Sequence, residues 1–252
     1  MIGGGNHFIL TSFRPQDRVS PLINLVVVMP VYNEADGLET YLHGWIETLD
    51  SLQIDYEIMA LDDGSRDGSG EILERMASNP RITAICKQNE GHGPTILSGY
   101  ADAVQRADWV FQADSDGEIP PSAFPGIWKA RADHDAVLGI RSSRNQGPIR
   151  AVMSWIARRI VGVLLGSTVR DVNIPFRLMR SGILSDILPV IPAKTFAPNV
   201  PISGAISRRG RIAEVLVPFT PRSDAGSIAG VRILRIALVS FWQTLRVSTK
   251  LR

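Results

Sequence analysis

Two aspartates separated by one residue, Asp114-Ser115-Asp116, directly follow the apolar stretch WVFQA. Such a stretch predicts a buried strand, so both carboxylates should emerge at the strand's end, the edge at which open α/β sheets bind their ligands. Two carboxylates this close repel one another unless a cation or a pKa shift relieves the repulsion. Ligands that are all oxygen atoms favour Mg²⁺ or Mn²⁺. The pair therefore predicts a divalent metal site, with an acidic turn before a helix as the alternative.

A second acidic pair, Asp62-Asp63, ends the apolar stretch YEIMAL and is followed by Gly64. We expect one of these carboxylates to accept hydrogen bonds from a nucleotide base or ribose. Gly64 would let the backbone turn closely around that ligand. A turn that caps a helix over residues 68–78 is the alternative.

Two more junctions between a predicted strand and a predicted helix carry polar residues. The first strand ends in PVYNE, whose aromatic ring and polar side chains suit a base and ribose pocket, although a plain turn explains them equally well. The junction NEGHGP contains Gly91 and His92 and places Pro94 at a helix start. The N-terminus of a helix binds phosphate. His92 is a candidate phosphate donor, and an ordinary loop histidine is the alternative.

Arginines crowd the second half of the chain, from Arg141 onward. Arg150 and Ser154 are spaced i,i+4, so a helix would place them on one face, where a guanidinium and a hydroxyl suit a phosphate. A solvated basic face is the alternative. Arg177 follows Asp171 at a spacing that also allows a structural ion pair.

The hydrophobic pattern predicts the elements that position these residues. Predicted strands cover residues 25–31, 56–61, 82–86, 109–113 and 136–140, and predicted helices cover 35–52, 70–77, 95–105 and 121–132. Strands that alternate with helices predict βαβ units in an open, mostly parallel α/β sheet with helices on both faces. Further on we predict a basic helix over 149–165, an extended segment over 174–179, a helix over 181–188, a Pro-rich loop over 189–201 and a strand over 213–218.

Composition limits the class of protein. With 252 residues, 44% hydrophobic and 21% charged, the chain suits one globular domain rather than a disordered one. A formal net charge of +2 gives no argument for a nucleic-acid partner. The single cysteine, Cys86, excludes an internal disulfide and a cysteine-rich metal site. We find neither the apolar core of a signal peptide nor a run of about 18 apolar residues, and so expect neither export nor a membrane-spanning anchor.

Seven motifs taken in order resemble the family 2 glycosyltransferases, and among them the dolichol- or polyprenol-phosphate sugar synthases. They are VVVMPVYNEADGL, IMALDDGSRDGS, NEGHGPTILSGY, FQADSDGEIPP, LGIRSSR, RDVNIPFRLMR and EVLVPFTPRSDAGS, which span about residues 25–228. The resemblance implies a GT-A fold, which is Rossmann-like, a nucleoside-diphosphate sugar donor and a divalent metal, Mg²⁺ or Mn²⁺. It also implies a polyprenyl (dolichyl or undecaprenyl) phosphate acceptor.

The resemblance and the residue arguments together predict four groups of site residues. The donor-binding group is Pro30, Tyr32, Glu34, Asp62, Asp63, Gly91, His92 and Asp114. The catalytic group is Asp116, Arg141, Asp171 and Arg177. The acceptor-binding group is Arg150, Ser154, Arg222 and Ser227, and the metal ligands are Asp114, Asp116 and Glu118.

The chain departs from the family pattern at four places. Gly117-Glu118 replaces the usual Leu-Gln or Leu-Ser and adds a carboxylate, and the D-x-T-S-G-F-R element reads DVNIPFR. No lysine follows Ser227, and the linker between Arg141 and Arg150 is short. These departures bear on the acceptor more than on the fold.

Three other functions are open at this point. A family 2 enzyme that glycosylates a soluble glycan or a protein hydroxyl would need a catalytic carboxylate, for which Asp171 or Glu118 is the candidate. A nucleotide-sugar-binding protein with little turnover would have an impaired metal site. A nucleotidyltransferase would need a Gly-rich, lysine-containing N-terminal loop, which the sequence lacks.

The arginine cluster favours a phosphate acceptor, since a phosphate monoester has its second pKa at about 6 and is ionised near neutral pH.

The tail VRILRIALVSFWQTLRV sets Phe241 and Trp242 among apolar residues with interspersed arginines. A basic amphipathic helix of this kind lies in the interface of a membrane that carries anionic lipids. A helix that packs on the core or forms a dimer is the alternative. For Arg158-Arg159 we favour a solvated face or membrane contact. We therefore expect a lead-in over 1–21, a catalytic GT-A domain over 22–228 and an amphipathic helical extension over 229–252, at the cytoplasmic face of the inner membrane.

Overall fold

The computed structural model describes residues 22–142, 148–166, 169–221 and 230–250, so the predicted lead-in lies outside the described residues. Its strands are β1 (Ile23–Val31), β2 (Tyr56–Asp62), β3 (Ile82–Cys86), β4 (Ala107–Ala113), β5 (Ala136–Arg141), β6 (Phe176–Arg180) and β7 (Ile212–Val217). Its helices are α1 (Leu38–Ser51), α2 (Ser69–Met76), α3 (His92–Ala103), α4 (Phe124–Lys129), α5 (Pro148–Leu165), α6 (Ser181–Ile187), α7 (Asn199–Arg209) and α8 (Gly230–Lys250).

These strands form a 7-stranded sheet in the order β3-β2-β1-β4-β6-β5-β7. Pairing is parallel throughout the β3-β2-β1-β4 half and between β5 and β7. Only β6, among the described strands, runs against its neighbours β4 and β5. The prediction of an open, mostly parallel sheet is therefore confirmed.

The order of the strands reverses at β1, which lies between β2 and β4. In the paired register Val31 faces Asp62, the last residue of β2, and Val28 faces Gln112 near the end of β4. The segments that follow β1, β2 and β4 therefore meet at one edge of the sheet. A crevice at such a reversal is the usual ligand site of an open α/β sheet.

Both faces of the central strands are covered, which explains their continuous apolar runs. Residues from Leu25 to Met29 have no exposed surface. One face packs against an aromatic cluster in which the Phe111 ring lies 4.8 Å from Phe124 and 4.8 Å from Phe176, with Trp45 at 5.4 Å. This cluster packs around Phe111 of β4 and so supports the strand that carries Asp114 at its end.

The structure corrects two of the predicted elements. The Pro-rich stretch 189–201 is not all loop, because α7 begins at Asn199 and Pro201 lies in its first turn, where a missing N–H breaks no helical bond. Helix α1 begins at Leu38 rather than at residue 35. Gly37 precedes it in the left-handed region (φ 92°), and the N–H of Ala35 is bound to the carboxylate of Asp67.

The predicted tail is helical, and α8 packs against α5 and α7. None of the helices in the described ranges combines the length and the hydropathy needed to cross a bilayer. The division of the chain into lead-in, catalytic domain and tail stays a prediction.

A packing requirement explains Gly99 of the third motif. A Cβ at this position would lie 2.5 Å from Cγ1 of Val28 and 3.1 Å from Cδ1 of Leu61, since α3 crosses directly over the sheet.

We expect Gly99→Ala to lower the free energy of unfolding by about 1–2 kcal/mol through overpacking, measured by urea denaturation. The control Gly44→Ala meets only Cγ of Pro121 at 3.5 Å and should stabilise the helix by roughly 0.5–1 kcal/mol. Equal effects of the two substitutions would contradict this packing.

Candidate functional site

A cleft of about 400 Å³ lies at the edge where the strand order reverses, beside the N-terminus of α3. It collects residues from four of the predicted motifs. The predicted site residues that line it are Pro30, Tyr32, Glu34, Asp63, Gly91, His92, Asp114 and Asp116. Residues distant in sequence are thus brought together as the motif spacing predicted.

Asp114 and Asp116 form the acidic centre of this cleft. Asp114 keeps 20% of its side-chain surface exposed, its Oδ1 accepts a hydrogen bond from Nε2 of Gln112 (3.1 Å), and Nε2 of His92 lies 3.8 Å away. Burial, opposed by His92 and Gln112 and assisted by the charge of Asp116, raises the pKa of Asp114 to about 6. The fold therefore holds a carboxylate whose ionised form a nearby cation would stabilise.

A buried hydrogen-bonded chain orients Asp114 from below. Gln112 has no exposed surface, and the hydroxyl of Tyr100 donates to its Oε1 (2.6 Å), which turns the amide NH₂ toward Asp114. The Tyr100 hydroxyl also lies 3.4 Å from Oδ1 of Asn199 at the start of α7. Sequence reasoning missed Gln112, although a polar residue inside the apolar stretch WVFQA is a visible signal.

The donor set fits a hard divalent cation in part. Two carboxylates from one turn suit an ion that also takes waters and phosphate oxygens. Nowhere in the described ranges do three His, Cys, Asp or Glu side chains converge as a preformed metal cage. The predicted set of Asp114, Asp116 and Glu118 stays a prediction, and these three residues line one small cavity beside the cleft. The main chain of Glu118 donates its N–H to Oδ1 of Asp116 (3.0 Å) and accepts from the N–H of Thr220 (2.9 Å).

Asp62 and Asp63 chiefly build the loops around the cleft. Burial acts to raise the pKa of Asp63, but hydrogen bonds from the N–H groups of Glu90 (2.9 Å) and Gly91 (2.8 Å), together with Lys87, bring it below its usual value. Asp62 is buried and accepts from the N–H and the hydroxyl of Ser65. The alternative that one of the pair caps α2 is wrong, because α2 begins after Gly68 without a side-chain cap.

Side-chain hydrogen bonds join the loop after β1 to the loop after β2. The N–H of Asn33 donates to the hydroxyl of Ser65 (2.9 Å), and the N–H of Glu34 donates to the hydroxyl of Ser69 (2.9 Å). Asn33 adopts a left-handed conformation (φ 54°), which asparagine tolerates better than most residues. These contacts leave the ring of Tyr32 half exposed at the mouth of the cleft.

Arg141 and Asp171, both predicted catalytic residues, form an ion pair at 3.4 Å. The Arg141 guanidinium lies over the ring of Phe219 at 5.0 Å, and its Nε is buried with no hydrogen-bond partner among the described residues. Asp171 therefore forms its ion pair with Arg141, and the alternative pairing with Arg177 is not observed.

Arg177 lies beneath the cleft rather than in it. Its side chain has no exposed surface, and its guanidinium donates to the main-chain carbonyls of Val172, Ile174 and Asn199 and to the hydroxyl of Ser203. It ties the segment before β6 to the start of α7. The structure therefore corrects its predicted catalytic role to a positioning one.

The predicted acceptor residues are only partly described. Arg150 and Ser154 belong to α5, so their shared helical face stays a prediction from spacing. Arg222 and Ser227 lie outside the described residues.

Residues 26–188 match Glycosyl transferase family 2. The undecaprenyl-phosphate 4-deoxy-4-formamido-L-arabinose transferase of Pseudomonas fluorescens is 31% identical over 185 residues, which are 72% of this chain and 54% of that protein. The enzyme of the same name from Edwardsiella ictaluri is 31% identical over 209 residues, 81% of this chain and 62% of that protein. The chain thus spans less than two thirds of the length of these relatives.

Solved structures share the fold. Glucosyl-3-phosphoglycerate synthase of Mycobacterium tuberculosis superposes with a TM-score of 0.63 at 17% identity, covering 90% of this chain and 81% of that one. TarS of S. aureus gives a TM-score of 0.55 at 17% identity, covering 79% and 37%. These likenesses confirm the GT-A fold that the motifs predicted.

The raised pKa of Asp114 predicts a pH-dependent cost to the metal-free protein. Because the folded pKa of about 6 exceeds the reference value of 3.8, the folded state binds more protons than the unfolded state between these values, and stability falls as pH rises through them. We expect Asp114→Asn to raise the free energy of unfolding by at most about 3 kcal/mol at pH 8 and by little at pH 4. Urea denaturation at both pH values measures this.

Two comparisons complete this test. Asp133→Asn, at an exposed aspartate in the turn before β5, should change stability little at either pH. Adding Mn²⁺ should stabilise the wild type and not Asp114→Asn. A gain for Asp114→Asn that is the same at pH 4 and pH 8 would contradict the account.

Proposed function

The chain belongs to glycosyl transferase family 2, and we propose that it moves a sugar from a nucleoside-diphosphate sugar to a polyprenyl phosphate with inversion at the anomeric carbon. The observation that carries the proposal is the pair Asp114 and Asp116 in a cleft at the edge where the strand order reverses. The names of the relatives, which specify transfer to undecaprenyl phosphate, support the class of acceptor.

The cleft suits the nucleotide part of a donor. Its volume of about 400 Å³ is within the range of small-ligand sites. The half-exposed ring of Tyr32 offers a face on which a base can stack. Helix α3 begins after Gly91 without a side-chain cap, so its first N–H groups are available to a diphosphate.

Asp114 and Asp116 would hold Mg²⁺ or Mn²⁺, which when bound supplies Lewis-acid stabilisation to the leaving diphosphate. His92, close to Asp114 and exposed for 55% of its side chain, adds a donor to the same region. Gln112 and Tyr100 fix Asp114 from below. This buried support keeps the carboxylate in place as the donor enters, which is the preorganisation that catalysis requires.

An ionised phosphate acceptor needs no general base. Its oxygen would form the new bond to the anomeric carbon as the bond to the nucleoside diphosphate breaks, and the diphosphate would leave with the bonding electrons. Attack from the side opposite the leaving group inverts the configuration. Of the two candidate bases for a hydroxyl acceptor, Asp171 is already engaged in an ion pair with the Arg141 guanidinium at 3.4 Å. This favours a phosphate acceptor over a hydroxyl acceptor, which would need such a base.

A surface on α5 and α8 suits a membrane interface, and we name it the α5–α8 surface. It comprises Trp155, Arg159 and Val163 on α5 and Val239, Trp242 and Arg246 on α8. Trp155 and Trp242 are 53% and 60% exposed, and the Arg159 guanidinium lies over the Trp155 ring at 5.4 Å. On each helix these residues are three or four positions apart and so lie on one face, and the two helices pack together. Exposed aromatic and basic side chains favour an anionic leaflet such as the cytoplasmic one.

The catalytic proposal predicts metal-dependent labelling of a lipid. Wild-type protein with Mn²⁺ or Mg²⁺, undecaprenyl phosphate and a panel of radiolabelled nucleotide sugars should transfer label from one donor into the organic phase. Asp116→Asn should lower this rate by about 10²-fold or more, because the donor diphosphate loses its charge compensation. Asp133→Asn is the matched control. Label found only on soluble glycan acceptors, or donor binding without any transfer, would contradict the proposal.

The membrane proposal predicts binding to vesicles. Trp242→Ser should weaken cosedimentation with vesicles of phosphatidylglycerol and phosphatidylcholine several-fold, because the helix loses an aromatic side chain that partitions into the interface. Leu216→Ser removes an apolar side chain that is 70% exposed on β7, outside the α5–α8 surface, and should leave binding unchanged. Equal loss in both variants, or in neither, would exclude this surface as the docking site.

A further inference from the structure

A second cavity of about 770 Å³ opens beside the donor cleft, between α3 and the segment that follows α6. We name it the α3 groove. Its apolar wall is formed by Pro94, Leu97 and Ala101 on one side and by Leu188, Ile191 and Phe196 on the other. Phe196 is 54% exposed, and Leu97 closes the floor with 9% exposure.

We propose that the α3 groove binds the prenyl chain of the lipid-phosphate acceptor, an inference that rests on the proposed function. Gly91 and His92 line both the groove and the donor cleft. Nε2 of His92 lies 3.8 Å from Oδ1 of Asp114, so the groove begins one side chain away from the predicted metal site. A phosphate placed beside the anomeric carbon can therefore leave its hydrocarbon chain in the groove.

The charges at the rim complement an anionic head group with an apolar tail. Lys194 is an exposed cationic group of the lining, and the exposed His92 adds a polar side chain beside it. The one carboxylate there, Glu90, is paired with Nζ of Lys87 at 2.5 Å, so its charge is compensated. Burial of the isoprene units against the apolar wall would supply most of the affinity, at about 25 cal/mol per Å² of apolar surface.

The rim of the groove at Lys194 and Phe196 is joined to α8. The side chain of Gln243 donates from Nε2 to the carbonyl of Lys194 (3.2 Å) and accepts at Oε1 from the N–H of Phe196 (3.2 Å). Gln243 is the neighbour of the exposed Trp242 on α8. The wall at residues 194–196, which contacts Gly93 beside the donor cleft, is therefore also tied to α8, the helix that carries part of the proposed membrane surface.

Close backbone contact fixes the width of the groove near its inner end. A Cβ on Gly93 would lie 2.0 Å from the carbonyl oxygen of Thr195 and 2.6 Å from that of Phe196. The start of α3 thus packs directly on the opposite wall. From there the lining residues continue along α3 to Ala101.

Filling the groove at Ala101 tests the proposal. Ala101 is an exposed lining residue, and it lies nine positions, or about 13 Å of helix, beyond His92. Ala101→Trp should raise KM for undecaprenyl phosphate about tenfold, the equivalent of about 1.4 kcal/mol. KM for citronellyl phosphate, whose chain is too short to reach Ala101, and KM for the donor should stay unchanged. Ala77→Trp, at the exposed end of α2, is the matched control.

The outcomes separate the groove from the proposed function. An unchanged KM for undecaprenyl phosphate, or an equal rise for both phosphates, would overturn the groove assignment while leaving the transfer reaction standing. Wild-type protein that labels neither phosphate would refute the transfer reaction and the groove with it.

Photolabelling of the wild type gives a second test that needs no folded variant. A prenyl phosphate with a diazirine at the far end of its chain should label residues 94–101 or 188–196. Label confined to other surfaces, or a groove covered by a second copy of the chain, would overturn the proposal.

Discussion

The site depends on a charge that the fold disfavours. Asp114 lies at the carboxyl end of β4 with Asp116 two residues away, and its pKa is raised to about 6, with burial as the largest cause. An apolar or neutral residue at this position would make the sheet more stable, because a buried carboxylate without a partner costs free energy. The cost is consistent with a site that a cation and an anionic ligand complete, as perturbed ionisation often marks functional positions.

The surrounding structure keeps this carboxylate in place. Tyr100 on α3 holds Gln112, which holds Asp114, and the same Tyr100 hydroxyl lies near Asn199 on α7. Arg177 binds the carbonyl of Asn199 and the segment before β6. The end of β4, the segment before β6 and the start of α7 thus share one buried polar network, and such networks are rigid when each member is satisfied.

The sequence indicated the strands and the acidic positions because apolar runs bounded by polar residues are local signals. The antiparallel direction of β6 and the start of α7 at Asn199 depend on tertiary pairing, which no local pattern contains. The type of a residue also does not determine whether its side chain points into the cleft or toward the surrounding protein. Asp63, predicted to bind the donor, accepts hydrogen bonds from the N–H groups of its neighbouring loop. Arg177, predicted to be catalytic, donates to main-chain carbonyls beneath the cleft.

The central claim is that Asp114 and Asp116 hold a divalent cation which in turn binds the donor diphosphate. Anomalous diffraction from crystals soaked with Mn²⁺ and a nucleoside diphosphate tests it most directly. The account predicts one Mn²⁺ peak at a coordination distance of about 2.0–2.2 Å from a carboxylate oxygen of this pair and bonded also to the diphosphate. A diphosphate bound in the cleft with Mn²⁺ elsewhere, or with no metal between it and these aspartates, would contradict the account.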